Sequence, residues 1–213
     1  MRHLSTIFDV MNPRSRFMTS CLAVLVSSFL LACAEIGPGG DAGSPSDDQP
    51  TPTANLYFSE YVEGSGSNKA LEILNADTNS TADLSLVSVE IYLNGATSAS
   101  RTVSLPSGNL APGALFVLAN SGGESSLSAL ADATNDDVVF NGDDAVVLRY
   151  SGEIVDVIGQ IGSSFPFGEN QTLQRNCAVA LGDRDASDPF DATAEFSFFA
   201  EDTFTDLGIR SCP

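Results

Sequence analysis

A strict alternation of apolar and polar side chains runs through residues 87–94, where Val87, Val89, Ile91 and Leu93 share one phase. A period of two is typical of a strand with one buried face, whereas an amphipathic helix needs a period near 3.6. No long stretch of the sequence has the helical period, and residues 125–133 give only a weak signal for a turn or two of helix. The pattern therefore predicts a chain built from strands.

Similar short apolar runs recur along the chain and are separated by turn residues. The predicted strands are 56–62, 69–74, 87–94, 102–105, 114–119, 138–140, 145–150, 154–158 and 172–174. Ser151-Gly152 joins two of them by two residues, which indicates a tight hairpin. About nine short strands spaced by turns predict an all-β sandwich or barrel.

The first 33 residues have the layout of a secretory signal. Arg14 and Arg16 precede an apolar run at 21–31, which is too short for a membrane-spanning helix of about 20 residues. The sequence Leu30-Leu31-Ala32-Cys33 is similar to the lipobox of bacterial lipoproteins, so we expect a lipid on Cys33 and a membrane anchor. Ala34 after the cysteine favours the outer membrane. An ordinary signal peptide is the alternative.

Residues 34–54 are dominated by Pro, Gly, Ser and Asp and contain almost nothing to bury. Such a composition predicts a disordered tether. The composition changes sharply near Asn55, and residues 55–213 are long enough for one domain with a core of its own.

The mature chain is strongly acidic. The sequence has 9 Lys and Arg against 28 Asp and Glu, and removing three arginines and one aspartate with the signal leaves 6 against 27, a formal charge of −21. This charge repels phosphate backbones and argues against non-specific nucleic-acid binding. It favours divalent cations or basic partners.

The side chains that most enzymes use are missing from the mature sequence. The only histidine is His3, inside the predicted signal, so the usual general base and a histidine zinc ligand are both absent. With Cys33 lipidated, Cys177 and Cys212 are left as an even pair in an oxidising compartment, and we predict that they form a disulfide. The sequence thus predicts a protein that binds and does not catalyse.

The only lysine, Lys69, has three glutamates close to it in sequence. Glu60 falls in the apolar phase of the first predicted strand, where a charge needs a partner. We predict that Glu60, Lys69 and Glu72 form a partly buried ionic clasp that fixes the first hairpin, and that Asn68 holds the loop by side-chain hydrogen bonds. A binding site and a catalytic cluster are the alternatives.

Acidic residues at short spacing suggest a calcium site, because Ca²⁺ takes six to eight oxygen ligands from such loops. The first candidate set is Asp183, Asp185, Asp188 and Asp191. The second, weaker set is Asp136, Asp137, Asp143 and Asp144. The first set lacks the residue order and the distal glutamate of an EF-hand, so a solvated acidic loop is the alternative.

Several motifs in a fixed order resemble a known family. They are SEYVEG at 59–64, NKALEI at 68–73, DLS at 83–85, LAPG at 110–113, FNGDDAVVL at 140–148, DVIG at 156–159 and TLQR at 172–175. Together they resemble the lamin tail domain in its bacterial form, over roughly 55–213. The resemblance implies an immunoglobulin-like β-sandwich and an accessory or tethering role. One departure is the absence of tryptophan, which the family often carries late in the domain.

The predicted function is a non-catalytic, lipid-anchored module that binds another envelope protein or a polysaccharide. Phe165, Phe167, Phe198 and Phe199 are candidate contact residues, with core positions as the alternative. Two other functions are a calcium-dependent adhesion module and an accessory subunit of a secreted metal-dependent hydrolase or nuclease.

Overall fold

The computed structural model describes residues 54–210 and Cys212. The predicted signal, the lipidation site Cys33 and the predicted tether up to residue 53 lie outside the described residues. Ala54, one residue before the predicted start of the domain, is buried in the core. None of the helices among the described residues combines the length and the apolar character needed to cross a membrane.

The described residues are mostly strands. The strands are β1 (Leu56–Glu63), β2 (Lys69–Asn75), β3 (Ala82–Asp83), β4 (Val87–Tyr92), β5 (Arg101–Ser104), β6 (Asn109–Leu110), β7 (Leu115–Asn120), β8 (Ala133–Asn135), β9 (Ala145–Tyr150), β10 (Glu153–Ile158), β11 (Gln171–Arg175) and β12 (Phe196–Ala200). The helices are α1 (Ser125–Ser128) and α2 (Ala192–Glu195), with 3₁₀ turns at Leu84–Leu86 and Leu93–Gly95.

The strands form two main sheets. The six-stranded sheet has the order β12-β11-β1-β2-β7-β8 and is antiparallel except for the β7–β8 pair. The four-stranded sheet has the order β10-β9-β4-β5, and β3 and β6 form a small separate pair. The main apolar core draws on both sheets, with Phe58, Ile73, Val89 and Leu148 among its buried residues. The predicted all-β, immunoglobulin-like sandwich is confirmed.

One predicted strand is absent. Residues 138–140 form no ladder, although Val138 and Phe140 are buried. The ring of Phe140 stacks on Tyr61 at 4.7 Å between centroids, and the Val138 carbonyl accepts a hydrogen bond from Asn120 Nδ2 at 2.9 Å. The apolar run at 138–140 therefore correctly indicates burial, but these residues do not pair as a strand.

A β-bulge in the first hairpin decides which side chains face the core. The register between β1 and β2 shifts between Phe58 and Glu60. Phe58 faces the core before the shift and Tyr61 faces it afterwards. Glu60 and Val62 therefore lie on the outer face, since one extra residue reverses the phase of a strand. The expectation that Glu60 points towards the core is wrong for this reason.

The outer face of the six-stranded sheet is covered by the C-terminal strap, residues 203–210 together with Cys212. Leu207 of the strap is 1% exposed and belongs to a second apolar cluster with Val62, Ala70 and Val117. The predicted disulfide is confirmed, because Cys177 and Cys212 are bonded across a sequence separation of 35 residues. It fastens the end of the strap.

Candidate functional site

Lys69 lies at the open end of the first hairpin and pairs with Glu63. The register places the two residues directly opposite each other, and Lys69 Nζ donates to Glu63 Oε1 at 2.6 Å and to the Gly64 carbonyl. Glu60 and Glu72 face each other elsewhere on the outer face. A buried clasp is present, but the prediction that Glu60 and Glu72 belong to it is wrong. The bulge in β1 carries Glu60 to the outer face, and Glu72 is three residues from Lys69 on β2, so its side chain points to the opposite face.

Asn68 ties the loop of this hairpin to two other segments. Its Nδ2 donates to Asp202 Oδ1 at 2.9 Å, and its Oδ1 accepts from the Glu124 N–H at 2.9 Å. The second carboxylate oxygen of Glu63 accepts from the backbone N–H of Asn170. The cluster therefore joins the hairpin loop to three distant parts of the chain, which is a structural role.

The substitution Lys69→Met is expected to lower the free energy of unfolding by about 2 kcal/mol. It leaves Glu63 buried without a cation, and breaking a buried pair in this way costs about 3–5 kcal/mol when nothing else binds the remaining charge. Here the Asn170 N–H still binds Glu63. Urea unfolding at pH 7 measures the loss, and Lys69→Met combined with Glu63→Gln should recover part of it. A single variant of unchanged stability would contradict the structural role.

Glu60 and Glu72 form an acidic pair beneath the C-terminal strap. Glu72 accepts hydrogen bonds from Ser59 Oγ at 2.7 Å and from the Gly208 N–H of the strap at 2.6 Å. Glu60 is only 3% exposed, and its Oε1 is buried without a hydrogen-bond partner among the described residues. The strap thus covers a carboxyl group that receives a hydrogen bond from Gln174 but keeps one oxygen without a partner.

A cavity of about 140 Å³ adjoins this pair. It is lined by Ser59, Glu60, Glu72, Gln174, Arg175, Cys177, Asp206, Ile209 and Arg210. Burial, reinforced by the charges of Glu72 and Asp206, raises the pKa of Glu60 to about 8. Burial also raises the pKa of Glu72 above its ordinary value. The acidic pair therefore favours a protonated Glu60 at neutral pH.

Two carboxyl groups with raised pKa values resemble a general acid–base pair. The surroundings do not suit that use, because the cavity is smaller than the 300–1,000 Å³ typical of ligand pockets. The strap that roofs it is held by the Gly208 N–H and the disulfide. We interpret the pair as part of the attachment between the strap and the sheet.

Sequence reasoning missed a buried ion pair between the two sheets. Arg175 of β11 and Asp156 of β10 are both 0% exposed in their side chains, and Arg175 Nη2 lies 3.0 and 2.9 Å from the two carboxylate oxygens. The Arg175 guanidinium also lies over the Tyr57 and Phe196 rings. Burial raises the pKa of Asp156 to about 6, against the opposing effect of Arg175. Both residues sit in the DVIG and TLQR motifs, which is the one signal that marked them.

The first set of predicted calcium ligands is not brought together. Asp183 accepts from the Asp185 N–H, and Asp185 accepts from the N–H and Oγ of Ser187, so each carboxylate binds its own turn. Asp191 binds Thr193 in the same way. Across residues 54–210 and Cys212, no group of three or more His, Cys, Asp or Glu side chains is placed to hold a metal ion.

Asp144, from the second set, holds a turn. It is fully buried and accepts from the Asn141 N–H at 2.7 Å and the Asn94 N–H at 2.6 Å. Burial raises the pKa of Asp144 in spite of these two hydrogen bonds. Asp144 therefore shapes the turn after residue 140 through these contacts and is not placed as a metal ligand.

The four candidate contact aromatics differ in exposure. Phe165 is 76% exposed, and Phe198 and Phe199 are 38% exposed each. Phe167 is half-buried and packs against Tyr61 at 5.8 Å between ring centroids. Three of the four are thus available for contact, and Phe167 belongs to the core.

A model of one protein family, the Lamin Tail Domain, matches residues 49–162. The matched region is more than half of the chain and takes in β1 to β10. It ends before β11, β12 and the C-terminal strap. No curated protein and no solved structure matches the chain.

Proposed function

Because the chain belongs to the lamin tail domain family, we propose that it is a binding or tethering module held at the bacterial cell envelope. The family is a non-enzymatic, immunoglobulin-like domain family. The observation that supports the proposal best is the position of the acid groups with raised pKa values. Glu60 and Glu72 lie under the strap and Asp156 is bound by Arg175, so these carboxyl groups serve the fold and leave the outer surface for contacts.

The proposed anchor is a lipid on Cys33 in the outer membrane. The lipobox-like sequence that ends at Cys33 and the small residue Ala34 after it support this placement. Residues 34–53, which precede the buried Ala54, would serve as the tether. A flexible chain of that length has an end-to-end distance of about 25 Å, which holds the domain off the membrane surface without fixing its orientation.

The proposed partner is an envelope protein or polysaccharide. The formal charge of −21 after removal of the signal favours basic surfaces over nucleic acids. A calcium-dependent adhesion module has less support, since the predicted ligands do not converge.

The anchor is tested by Cys33→Ser, which should move the protein from the membrane fraction to the soluble envelope fraction and remove the lipid mass from the N-terminal peptide. Cys21→Ser is the matched control, because Cys21 lies in the apolar run outside the lipobox, and it should stay membrane-bound. A Cys33→Ser protein that remains in the membrane fraction would contradict the proposed anchor.

A further inference from the structure

Strand β12 is an exposed edge of the six-stranded sheet. Its neighbour on one side is β11, and the described residues place no strand on the other side. Residues 197–200 are all exposed, and Phe198 and Phe199 are among the large apolar side chains on the surface. An apolar edge strand of this kind is a template for another strand.

The other outer strands of the two main sheets each carry a feature that discourages pairing. Strand β8 is only three residues long, β10 has a register shift between Ile154 and Asp156, and β5 carries a charged residue, Arg101. Short length, bulges and charges are the usual protection of sheet edges. Strand β12 has no charge and no proline, and its register with β11 is unbroken. Among the described strands of the two sheets, β12 is the unprotected edge.

The backbone of β12 presents free hydrogen-bonding groups at its centre. The Asn176 N–H donates to the Glu195 carbonyl at 2.7 Å, and the same register continues as Gln174 opposite Ser197 and Thr172 opposite Phe199. Hydrogen-bonded pairs alternate in an antiparallel ladder. The N–H and C=O of Phe198 therefore point away from β11, towards the open edge.

The charges at the two ends of β12 identify the occupant. The exposed Glu201 follows the strand. Glu195 precedes it and lies 3.5 Å from Arg175 Nη1, but Asp156 already balances the charge of Arg175, so this end of the strand also stays negative. If a second copy paired antiparallel about Phe198, Glu195 of each copy would lie opposite Glu201 of the other, and like charges directly opposite destabilise a sheet. The segment from Cys33 to Thr53 contains no Lys or Arg, so it offers no basic strand either. The complementary occupant is an extended segment of another protein with basic residues at both ends.

We propose that β12 is the docking edge of this module, and that it binds an extended, basic-ended segment of a partner protein as an added antiparallel strand. This inference rests on the proposed binding function and names the site and the chemistry of the partner. Main-chain hydrogen bonds to Phe198 give the strand addition its affinity, and Glu195 and Glu201 select the basic ends.

The test uses the non-lipidated full-length mature chain (Cys33→Ser) and the heptapeptide Lys-Val-Thr-Val-Thr-Val-Lys. With its central valine opposite Phe198, the two lysines lie opposite Glu195 and Glu201. We expect saturable binding and slower hydrogen exchange of the Phe198 amide. Two control peptides should bind at least about tenfold more weakly. One is the charge-reversed peptide Glu-Val-Thr-Val-Thr-Val-Glu, and the other is the lysine peptide N-methylated at its central valine. Two reversed charges, or one lost strand hydrogen bond, cost about 1.4 kcal/mol or more.

Two protein variants separate the backbone from the ring. Phe198→Pro removes the outward N–H without touching the ladder with β11, and should abolish binding, whereas Phe198→Ala keeps the N–H and should retain part of it. If Phe198→Pro fails to fold, Phe199→Lys provides the test. It leaves the backbone intact, and its added positive charge should weaken binding of the lysine peptide.

Three results would overturn the inference. The first is that the N-methylated peptide binds as tightly as the unmodified lysine peptide. The second is that the peptide slows hydrogen exchange in β5, β8 or β10 and not in β12. The third is that the chain forms a dimer that Phe198→Pro dissociates. If Phe198→Pro keeps its affinity for an envelope component, the docking edge is wrong and the proposed binding function stands. If neither protein binds any envelope component, the proposed function itself is wrong.

Discussion

Replacement of Glu60 by glutamine is expected to stabilise the domain by about 5 kcal/mol at pH 9 and to change it little at pH 4. Burial raises the pKa of Glu60 from its ordinary value of 4.5 to about 8. The folded state therefore favours the protonated carboxyl, whose contribution is present in full below pH 4.5 and is lost as the pH rises through 8. The change in pKa corresponds to about 5 kcal/mol once the group is ionised in both states. The glutamine side chain stays neutral at every pH and does not incur this loss.

Urea unfolding of the Cys33→Ser chain at pH 4, 7 and 9 measures the effect. The matched control is Glu201→Gln, because Glu201 is an exposed glutamate outside the cavity, and its stability should follow that of the parent at every pH. If the free energy of unfolding changes with pH in the same way for the parent and for Glu60→Gln, Glu60 is solvated and the strap does not cover it.

Loss of the disulfide is expected to lower the free energy of unfolding by about 4 kcal/mol. Cys177 and Cys212 are 35 residues apart, and a cross-link that closes a loop of this length restricts the unfolded chain by about that amount. Because total stabilities are about 5–15 kcal/mol, the double variant Cys177→Ser/Cys212→Ser should lose a large fraction of the total. Urea unfolding of this variant beside the oxidised chain at pH 5 provides the measurement.

The two effects are coupled through the strap. Without the disulfide, the strap keeps the Leu207 packing, the Gly208 hydrogen bond to Glu72 and the Arg210 contact with Ser59. Its more frequent detachment should hydrate Glu60, so the gain from Glu60→Gln at pH 9 should shrink in the cysteine-free chain. If Glu60→Gln changes the free energy of unfolding at pH 9 by the same amount with and without the disulfide, this coupling is contradicted.

The sequence predicted most of the sandwich because alternation reports a half-buried strand directly. Val87, Val89 and Ile91 are all buried in β4, as their phase requires. Ser151 and Gly152 both have positive φ, 52° and 86°, as a two-residue hairpin turn needs. The start of β4 at Val87 also agrees with the start of the strand predicted at 87–94.

Strand β12 and the ion pair could not be predicted by the same reasoning. The run Phe196–Ala200 has no clear alternation, and it becomes a strand because β11 pairs with it. Arg175 and Asp156 are 19 residues apart and meet only when the two sheets pack. Periodicity carries no information about such tertiary partners.

The membership of the clasp could not be predicted because it depends on a single bulge. The side-chain phase of β1 reverses near Ser59, and no glycine or proline in Leu56–Glu63 signals it. An unbroken strand would have kept Glu60 in phase with Phe58. The error therefore lies in the geometry of one residue and leaves the prediction of a structural, buried Lys69 in place.

The most direct test of the central claim, that the domain acts by binding and not by turnover, follows both processes in one experiment. The Cys33→Ser chain is incubated with envelope protein and polysaccharide fractions in the presence of Mg²⁺, Mn²⁺ and Ca²⁺, and retained components and released products are quantified together. We predict retention that saturates and no released product. Product release that disappears in Glu60→Gln or Glu72→Gln would contradict the account.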